Sequence, residues 1–254
     1  MPLPSERLDG DHALVTGAGR GLGRACALAL AEAGATVTLM ARSESELEAV
    51  AEAIAAAGGK ARIAVADVGD QEGVAAAVAA ADSAVPLGIL VTAAGINRVG
   101  PSDTYDLGDF DPLMEVNVRG TFLACREVGR RMIERGRGGR IVSMSSQMGA
   151  VGYPGRAAYC ATKHAVNGLT KALAVEWAPY GITVNAVAPT FVETPMTRPM
   201  FEDPEFAAEV SRRIPGGEIA QVEDVAGAVL YLASARGRAI TGHVLAVDRG
   251  WTAW

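Results

Sequence analysis

The stretch Ala13-Leu14-Val15-Thr16-Gly17-Ala18-Gly19-Arg20-Gly21-Leu22-Gly23 decides how this chain folds. An apolar run leads into a glycine-rich turn, and an alanine- and leucine-rich segment follows up to residue 33, which predicts strand, turn and helix. Glycines at 17, 21 and 23 remove side chains that would keep a dinucleotide pyrophosphate from backbone N–H groups and the positive helix end. Such a turn can also merely reverse the chain. The strand before it and the helix after it favour a dinucleotide site.

Apolar strands alternate with amphipathic helices along the rest of the chain, and no linker divides it. The predicted strands are 13–16, 36–41, 61–66, 88–92, 140–145, 183–188 and 243–247. The predicted helices are 21–33, 44–57, 71–81, 113–135, 157–178 and 222–233. This alternation implies right-handed parallel crossovers, so we predict a single α/β domain over 1–254 with a doubly wound, seven-stranded parallel sheet. Ligands of such sheets bind beyond the carboxyl ends of the strands, where the glycine turn, Thr92 and Ser146 fall.

Composition narrows the class of protein. The chain has 254 residues, of which 50% are hydrophobic, and a net charge of −6, which argues against a nucleic-acid partner. The first seven residues lack the apolar core of a signal peptide, and no stretch has the length of a membrane span, so we expect a cytoplasmic protein. The scattered cysteines and histidines predict buried thiols and no metal site; they are Cys26, Cys125, Cys160, His12, His164 and His243.

The end of the second predicted strand, Met40-Ala41-Arg42-Ser43, indicates which dinucleotide is bound. In a doubly wound sheet an acidic residue at this place binds the adenosine ribose hydroxyls, whereas a basic residue accommodates a 2′-phosphate. Arg42 stands at this place, and Arg20 lies within the glycine turn. Two arginines near one ribose favour NADP(H). NAD(H) stays possible, because arginine is also common on solvated surfaces.

A tyrosine and a lysine one helical turn apart, Tyr159 and Lys163, follow Ser146 in the second half of the chain. Residues at i and i+4 share a helix face, so the Lys163 ammonium can lie close to the Tyr159 hydroxyl or to a sugar hydroxyl bound between them. A nearby positive charge favours phenolate and brings a pKa of about 10 closer to working pH. The spacing is common by chance, but beside a dinucleotide site it predicts proton transfer to or from a secondary alcohol.

Taken in order, these features resemble those of the short-chain dehydrogenase/reductase family. The motifs are Thr16-Gly17-x-x-x-Gly21-x-Gly23, Asp67, Ala93-Ala94-Gly95, Asn117, Ser146, Tyr159-x-x-x-Lys163 and Pro189-x-x-x-x-Thr194. Each motif is weak alone, but their joint order and spacing are specific and extend from residue 8 to residue 251. The resemblance implies a Rossmann-type fold and an NAD(P)-dependent enzyme that acts on CH–OH donors.

The resemblance also implies roles for the matching residues. Tyr159 would be the general acid/base, Lys163 would lower its pKa and hold the nicotinamide ribose, and Ser146 would bind the substrate carbonyl oxygen. The helix backbone at Asn117 would hold a water of the proton relay. The implied coenzyme contacts are Gly17, Arg20, Gly21, Leu22, Gly23, Arg42, Asp67, Val68, Ala94, Gly95, Tyr159, Lys163, Pro189, Val192 and Thr194.

Two positions depart from the family pattern. Thr92 stands where the family often has asparagine, so a side-chain hydrogen bond at the strand end should differ. Thr190 follows Pro189 where the family often has glycine. Because threonine lacks glycine's freedom at positive φ, we expect an ordinary backbone conformation there.

The segment 190–217 is predicted to form a substrate lid. The candidate substrate contacts are Ser146, Gln147, Tyr153, Arg156, Tyr159 and Met196. A polar and cationic pocket of this kind suits a hydroxylated or anionic small molecule better than a steroid or a long acyl chain. The residues around Ser146, Tyr159 and Pro189 are also similar to those of sugar, polyol and sugar-acid members, so such an alcohol or ketone is the predicted substrate.

Two other functions stay open. A 3-oxoacyl thioester reductase would use the same catalytic residues, and its acidic carrier protein should dock on a basic surface. Arginines cluster around the fifth predicted strand, although a solvated helix end explains them equally well: Arg130, Arg131, Arg135, Arg137 and Arg140. A non-catalytic dinucleotide-binding regulatory protein would be expected to have lost Tyr159, Lys163 or Ser146, and all three are present.

Assembly is predicted from two long helices and from the chain end. Helices 113–135 and 157–178 carry small and apolar residues over more than one face, more than one sheet contact would bury. The resemblance implies that they pair in a homodimer or homotetramer. The aromatic segment Gly250-Trp251-Thr252-Ala253-Trp254 is expected either to pack on a neighbouring subunit or to fray.

Overall fold

A seven-stranded parallel sheet forms the centre of the structure, a computed structural model in which residues 4–253 are described. The strands are β1 (His12–Thr16), β2 (Thr36–Ala41), β3 (Lys60–Val65), β4 (Ile89–Thr92), β5 (Gly139–Met144), β6 (Ile182–Pro189) and β7 (Val244–Val247). Their order is β3-β2-β1-β4-β5-β6-β7, and all neighbouring pairs are parallel. The strand order reverses at β1 and β4, so the carboxyl ends of these two strands form the crevice in which such sheets bind ligands.

Helices cover both faces of the sheet. They are α1 (Gly21–Glu32), α2 (Glu44–Ala56), α3 (Gln71–Ala84), α4 (Leu107–Met114), α5 (Thr121–Arg135), α6 (Ala157–Trp177), α7 (Arg198–Phe201), α8 (Pro204–Arg213) and α9 (Val222–Ala233). A π-helical segment, Glu115–Gly120, joins α4 to α5. No helix within residues 4–253 is both long and apolar enough to cross a membrane.

The alternation of strand residues produces two separate cores. Ala13 and Val15 of β1 face the core beneath α1, α2 and α9, whereas Leu14 faces the core beneath α3, α5 and α6. All three side chains are fully buried, because a parallel sheet with helices on both faces leaves its central strands no solvent side. The predicted doubly wound sheet is confirmed, and every predicted strand lies within one residue of the observed bounds.

The predicted helix 113–135 is wrong in two respects. Helical structure begins at Leu107, where Asp106 Oδ1 accepts a hydrogen bond of 2.8 Å from the Gly108 N–H. Pro112 lies inside α4, and because proline lacks an N–H group its presence suggested a helix boundary. The helix is also interrupted by the π-helical segment, whose wider winding has no signature in the apolar pattern.

The predicted lid segment contains α7 and α8, two short helices that the sequence pattern did not predict. Pro204 occupies the first position of α8, and Asp203 Oδ1 accepts a hydrogen bond of 2.9 Å from the Glu205 N–H. An acidic cap followed by proline is a common helix start. Pro199 and Pro204 therefore lie at the starts of the two helices.

Aromatic side chains hold the lid helices to the body of the protein. The buried members of this group, which we call the lid cluster, are Met148, Cys160, Phe191, Val210, Ile214 and Trp251, with Tyr153, Phe201 and Phe206 packed against them. The Phe191 ring centroid lies 5.2 Å from that of Phe206 and 5.6 Å from that of Trp251. These separations are typical of favourable aromatic pairs.

The lid cluster corrects both expectations for the aromatic C-terminus. Trp251 is 6% exposed and packs inside its own chain, with the Arg213 guanidinium 5.6 Å from its ring centroid. It therefore does not fray, and little of its side chain is left to contact a neighbouring subunit. Trp254 lies outside the described residues. The residues that pack around Trp251 are spread between positions 150 and 250. No local sequence pattern therefore indicates that Trp251 is buried.

Candidate active site

The glycine-rich turn after β1 allows backbone atoms to approach each other closely. Gly17 has a φ of +66°, and a Cβ added to it would lie 2.7 Å from the backbone nitrogen of Ala94. A Cβ on Gly23 would overlap the carbonyl oxygen of Gly17. Any side chain at either position would push the start of α1 away from the strand ends. Glycine at both positions therefore keeps the helix N-terminus at the crevice, where its N–H groups and dipole favour an anion.

A hydrogen-bonded threonine ties the turn to the neighbouring strand. Thr16 Oγ1 accepts hydrogen bonds of 3.2 Å from the N–H groups of both Ala93 and Ala94. We call residues 17–23 together with 93–95 the dinucleotide cradle. The cradle is made mostly of backbone, which suits a pyrophosphate that has to approach N–H groups directly.

A cavity of about 680 Å3 runs from the cradle to the end of β6. Its size is within the range of cofactor sites. All fifteen residues predicted to contact the coenzyme line this cavity: Gly17, Arg20, Gly21, Leu22, Gly23, Arg42, Asp67, Val68, Ala94, Gly95, Tyr159, Lys163, Pro189, Val192 and Thr194. The cavity and its glycine cradle thus fit a nicotinamide dinucleotide, with the cradle at the pyrophosphate.

The end of the cavity beside β2 carries charges of both signs. Arg20 and Arg42 line it, as the sequence predicted. Asp67 Oδ2 lies 3.6 Å from Arg42 Nη1, but both side chains are exposed, so the pair is weak and leaves Arg42 able to bind an anion. Glu46 also lines this end, although no carboxylate was expected at the end of β2. It enters from α2, so the residues after the strand gave no sign of it.

Ser146, Tyr159 and Lys163 lie on one wall of the cavity, which we call the catalytic wall. Ser146 lies two residues after the end of β5, and α6 carries the other two residues. Asn167 on α6 ties the two elements together: its Oδ1 accepts a hydrogen bond of 2.6 Å from the Ser145 hydroxyl, and its amide donates one of 2.8 Å to the Gly149 carbonyl. Asn167 therefore fixes the segment on both sides of Ser146 against the helix that carries Tyr159. Sequence reasoning missed this residue.

Burial shifts the pKa values of both Tyr159 and Lys163. Burial raises the pKa of Tyr159 to about 12, while a hydrogen bond with Ser146 and the charge of Arg156 act in the opposite direction. Lys163 Nζ donates a hydrogen bond of 2.9 Å to the Met144 carbonyl, and burial lowers the Lys163 pKa to about 8. The Lys163 ammonium also lies 5.5 Å from the centroid of the Tyr159 ring, and the role of Lys163 in lowering the Tyr159 pKa stays a prediction.

Asn117 lies in the π-helical segment, and its side chain holds the strand end opposite the catalytic wall. Its Oδ1 accepts a hydrogen bond of 2.8 Å from the Ile96 N–H, and its Nδ2 donates one of 2.9 Å to the Ile96 carbonyl. Its own carbonyl accepts a hydrogen bond of 2.8 Å from the Thr121 hydroxyl. The structure thus supports a positioning role for the Asn117 side chain. The predicted water relay stays a prediction.

The predicted substrate contacts divide into two groups. Ser146, Tyr159 and Met196 line the cavity. Gln147, Tyr153 and Arg156 do not line it: the first is buried behind the serine, the second belongs to the lid cluster, and the third is 4% exposed. The backbone geometry directs these three side chains away from the cavity. Their closeness to Ser146 and Tyr159 in the sequence does not reveal this direction.

Several polar atoms around the cavity are buried without a hydrogen-bond partner in the described part of the chain. Asn97 Oδ1 and Thr190 Oγ1 belong to residues that line the cavity, and Gln147 Oε1 and Arg156 Nε lie behind the catalytic wall. Buried polar groups are normally satisfied, so such atoms indicate places for ligand hydroxyl groups or water.

Thr190 has no positive φ, as its sequence predicted. Thr92 Oγ1 also has no hydrogen-bond partner among the described residues, and Thr92 does not line the cavity.

This fold and site define a nicotinamide dinucleotide-dependent oxidoreductase of the Rossmann type. The chain belongs to the short-chain dehydrogenase/reductase family. A family model described as enoyl-(acyl carrier protein) reductase matches residues 17–252. The predicted family, fold class and enzyme class are thereby confirmed.

Full-length relatives carry the names of sugar and polyol enzymes. The chain is 41% identical over 246 residues to a gluconate 5-dehydrogenase of Gluconobacter oxydans (strain 621H), with 96% of each chain covered. It is 44% identical over 250 residues to a galactitol 2-dehydrogenase (L-tagatose-forming) of Cereibacter sphaeroides, covering 98% of this chain and 97% of the other. The crystal structure of a gluconate 5-dehydrogenase from Burkholderia cenocepacia J2315 in complex with NADP and tartrate superposes with a TM-score of 0.94 at 39% identity, covering 98% of each chain.

Proposed function

We propose that this protein interconverts a secondary alcohol and a ketone on a sugar, polyol or sugar acid with NADP(H). The observation that carries the proposal is the catalytic wall: Ser146 and Tyr159 lie on one side of a cavity whose other end is the dinucleotide cradle. When bound there, the nicotinamide supplies or accepts the hydride. The chain itself has to orient the substrate and move one proton.

In this proposal Tyr159 donates or accepts the proton. Ser146 donates a hydrogen bond to the substrate oxygen, and Tyr159 gives that oxygen its proton during reduction or removes the proton during oxidation. A phenol with a pKa of about 12 is protonated at neutral pH and is ready to act as an acid. Oxidation needs the phenolate, which Ser146 and Arg156 favour, so alcohol oxidation should be faster at alkaline pH.

The cavity supports a hydroxylated substrate. Asn97 and Thr190 line the cavity with polar side chains that suit the hydroxyl groups of such a substrate. The buried Arg156 adds positive charge behind Tyr159 without an ion-pair partner in residues 4–253. The names of full-length relatives, gluconate 5-dehydrogenase and galactitol 2-dehydrogenase, point to the same substrate class.

The thioester reductase is a weaker candidate. Its carrier protein would need a basic surface at the entrance of the cavity, but the arginine cluster lies around the beginning of β5, at the opposite end of the sheet. Acidic neighbours also neutralise it: Arg135 Nη2 lies 2.6 Å from Asp82 Oδ1, and Arg140 Nη1 lies 3.1 Å from Asp11 Oδ2. A solvated, ion-paired surface explains these arginines.

A substrate panel tests the proposed function. Sugars, polyols, aldonates and 3-oxoacyl thioesters are offered with NADP or NADPH, and turnover is followed by nicotinamide absorbance. We expect turnover with at least one sugar, polyol or aldonate, and loss of about 100-fold or more in kcat on Tyr159→Phe with the coenzyme Kd unchanged. Exclusive activity on thioesters would end the sugar proposal.

Coenzyme choice is tested separately. NADP was bound in the Burkholderia crystal structure, and two arginines line the corresponding end of this cavity. We expect a higher kcat/KM for NADP(H) than for NAD(H), and a smaller preference on Arg42→Asp. A wild-type preference for NAD(H) would contradict the proposal.

We propose that the chain works as a homodimer or homotetramer in the cytoplasm. Apolar side chains on α5 and α6 support the assembly: Phe122 is 40% exposed and Val175 is 79% exposed. Such exposure on two long neighbouring helices suits pairing with a second copy. Sedimentation of the wild type and of Val175→Asp tests it, and a monomeric wild type would contradict it.

A further inference from the structure

The adenosine end of the cavity contains an unpaired acid beside its two arginines. Glu46 lines the cavity together with Arg20 and Arg42. Asp67 is already paired with Arg42, whereas the Glu46 carboxylate has no basic partner within residues 4–253. A carboxylate at a place that receives a phosphate would oppose binding, so its position needs a functional explanation.

The start of α2 explains how Glu46 reaches the cavity. Ser43 caps the helix, and its Oγ accepts a hydrogen bond of 3.4 Å from the Glu46 N–H. The sequence Ser43-Glu44-Ser45-Glu46 fits a capping box, in which the glutamate side chain would turn back to the Ser43 N–H. The structure shows no such return bond. Glu46 is therefore free to extend away from its own helix.

The Glu46 side chain lies over the glycine-rich turn instead. A Cβ added to Gly19 would be 2.8 Å from Glu46 Oε2 and 2.9 Å from Glu46 Cβ. Because Gly19 has no side chain, the Glu46 side chain can occupy the space beside it. The carboxylate is placed beside the dinucleotide cradle, between the turn that faces the pyrophosphate and the strand end that faces the adenosine ribose.

We propose that Glu46 lets this site accept NAD(H) as well as NADP(H). A carboxylate near the adenosine ribose accepts a hydrogen bond from the free 2′-hydroxyl of NAD and repels the 2′-phosphate of NADP. Most such sheets carry this acid directly after the second strand, where this chain has Arg42. Glu46 supplies the acid from α2, so one site holds arginines for the phosphate and a glutamate for the hydroxyl. The inference rests on the proposed function only in requiring that a dinucleotide binds in this cavity.

Calorimetric titration of NADP+ and NAD+ into the full chain tests the inference without any substrate. Glu46→Gln removes the charge and keeps the shape of the side chain. Glu48→Gln, an exposed position on the same helix that does not line the cavity, is the matched control. We expect Glu46→Gln to bind NADP+ about fivefold more tightly and NAD+ about fivefold more weakly, while Glu48→Gln binds both as the wild type does. Glu46→Lys should change the NADP/NAD ratio further in the same direction.

The outcomes separate the two proposals. A wild type that binds NADP+ and NAD+, with a ratio that Glu46→Gln leaves unchanged, would overturn the role of Glu46 and leave the proposed function intact. Equal weakening of both coenzymes would also overturn it, because Glu46 would then only support the turn. A wild type that binds neither dinucleotide would overturn both proposals. Thermal unfolding of each variant shows whether it is folded at the temperature of the titration.

Discussion

The dinucleotide cradle and the lid cluster are built in different ways. In the cradle the close contacts are between backbone atoms, for example between Gly17 and Ala94. In the lid cluster, large side chains meet, as where Phe191 packs on Phe206 and Trp251. Backbone contacts need particular residues at fixed spacing, whereas side-chain contacts can be made by many combinations. The first kind can be recognised in a sequence, and the second cannot.

A glycine substitution in the cradle should have the largest effect. In Gly23→Ala the new methyl group would overlap the Gly17 carbonyl oxygen, so the turn and α1 must separate. We expect the NADP+ Kd to rise about 100-fold, the equivalent of about 3 kcal/mol. Gly227→Ala is the matched control, because a Cβ at that helical position meets nothing within 4 Å. Tight coenzyme binding by Gly23→Ala would show that the cradle does not depend on backbone contact.

The lid cluster should respond through stability. Trp251→Ala removes a side chain that is 6% exposed and contacts Tyr153 and Phe191. We expect a loss of about 3 kcal/mol in the free energy of unfolding, measured with denaturant, and little change in NADP+ affinity. An unchanged stability together with a dissociated oligomer would instead place Trp251 at a subunit interface.

A smaller effect is expected at Arg156, which links the lid helix α7 to Tyr159 of the catalytic wall. This buried guanidinium lowers the pKa of Tyr159 and contacts Met200 of α7, whose Sδ lies 3.1 Å from Arg156 Nη2. Arg156→Met should raise the Tyr159 pKa, so the pH profile of alcohol oxidation moves to higher pH and the rate at neutral pH falls several-fold. Arg198→Met, on the exposed side of α7, should leave the profile unchanged. An unshifted profile for Arg156→Met would remove Arg156 from the proton step.

The smallest effect is expected from the outer surface of the lid. Arg198 Nε lies 3.1 Å from Glu193 Oε1, and both side chains are more than half exposed. Exposed pairs contribute little, so Glu193→Gln should change the free energy of unfolding by no more than about 0.5 kcal/mol. A larger loss would mean that the lid depends on ion pairs as well as on aromatic packing.

The sequence predicted the sheet and the catalytic wall well because both follow from short-range patterns. Strand and helix alternation sets the sheet, and the spacing of Tyr159 and Lys163 follows from one turn of helix. The direction of the Lys163 ammonium was missed, since it depends on the Met144 carbonyl of another element. Glu46 was missed for the same reason, because it lies on α2 but contacts the glycine-rich turn, which precedes it by more than twenty residues.

The lid was the least predictable region. Its helices are only 4 and 10 residues long, too short for a periodic signal, and its packing partners come from distant parts of the chain. Gln147, Tyr153 and Arg156 were placed in the substrate pocket from their nearness to Ser146 and Tyr159 in sequence. None of these three side chains lines the cavity.

In the proposed reaction Tyr159 on the catalytic wall moves the proton while the cradle holds the coenzyme. The most direct test measures kcat and coenzyme Kd together for the wild type and Tyr159→Phe, with the best sugar, polyol or aldonate substrate and NADP(H). The account predicts a kcat lower by about 100-fold or more with an unchanged coenzyme Kd. A Tyr159→Phe variant with wild-type kcat would contradict it.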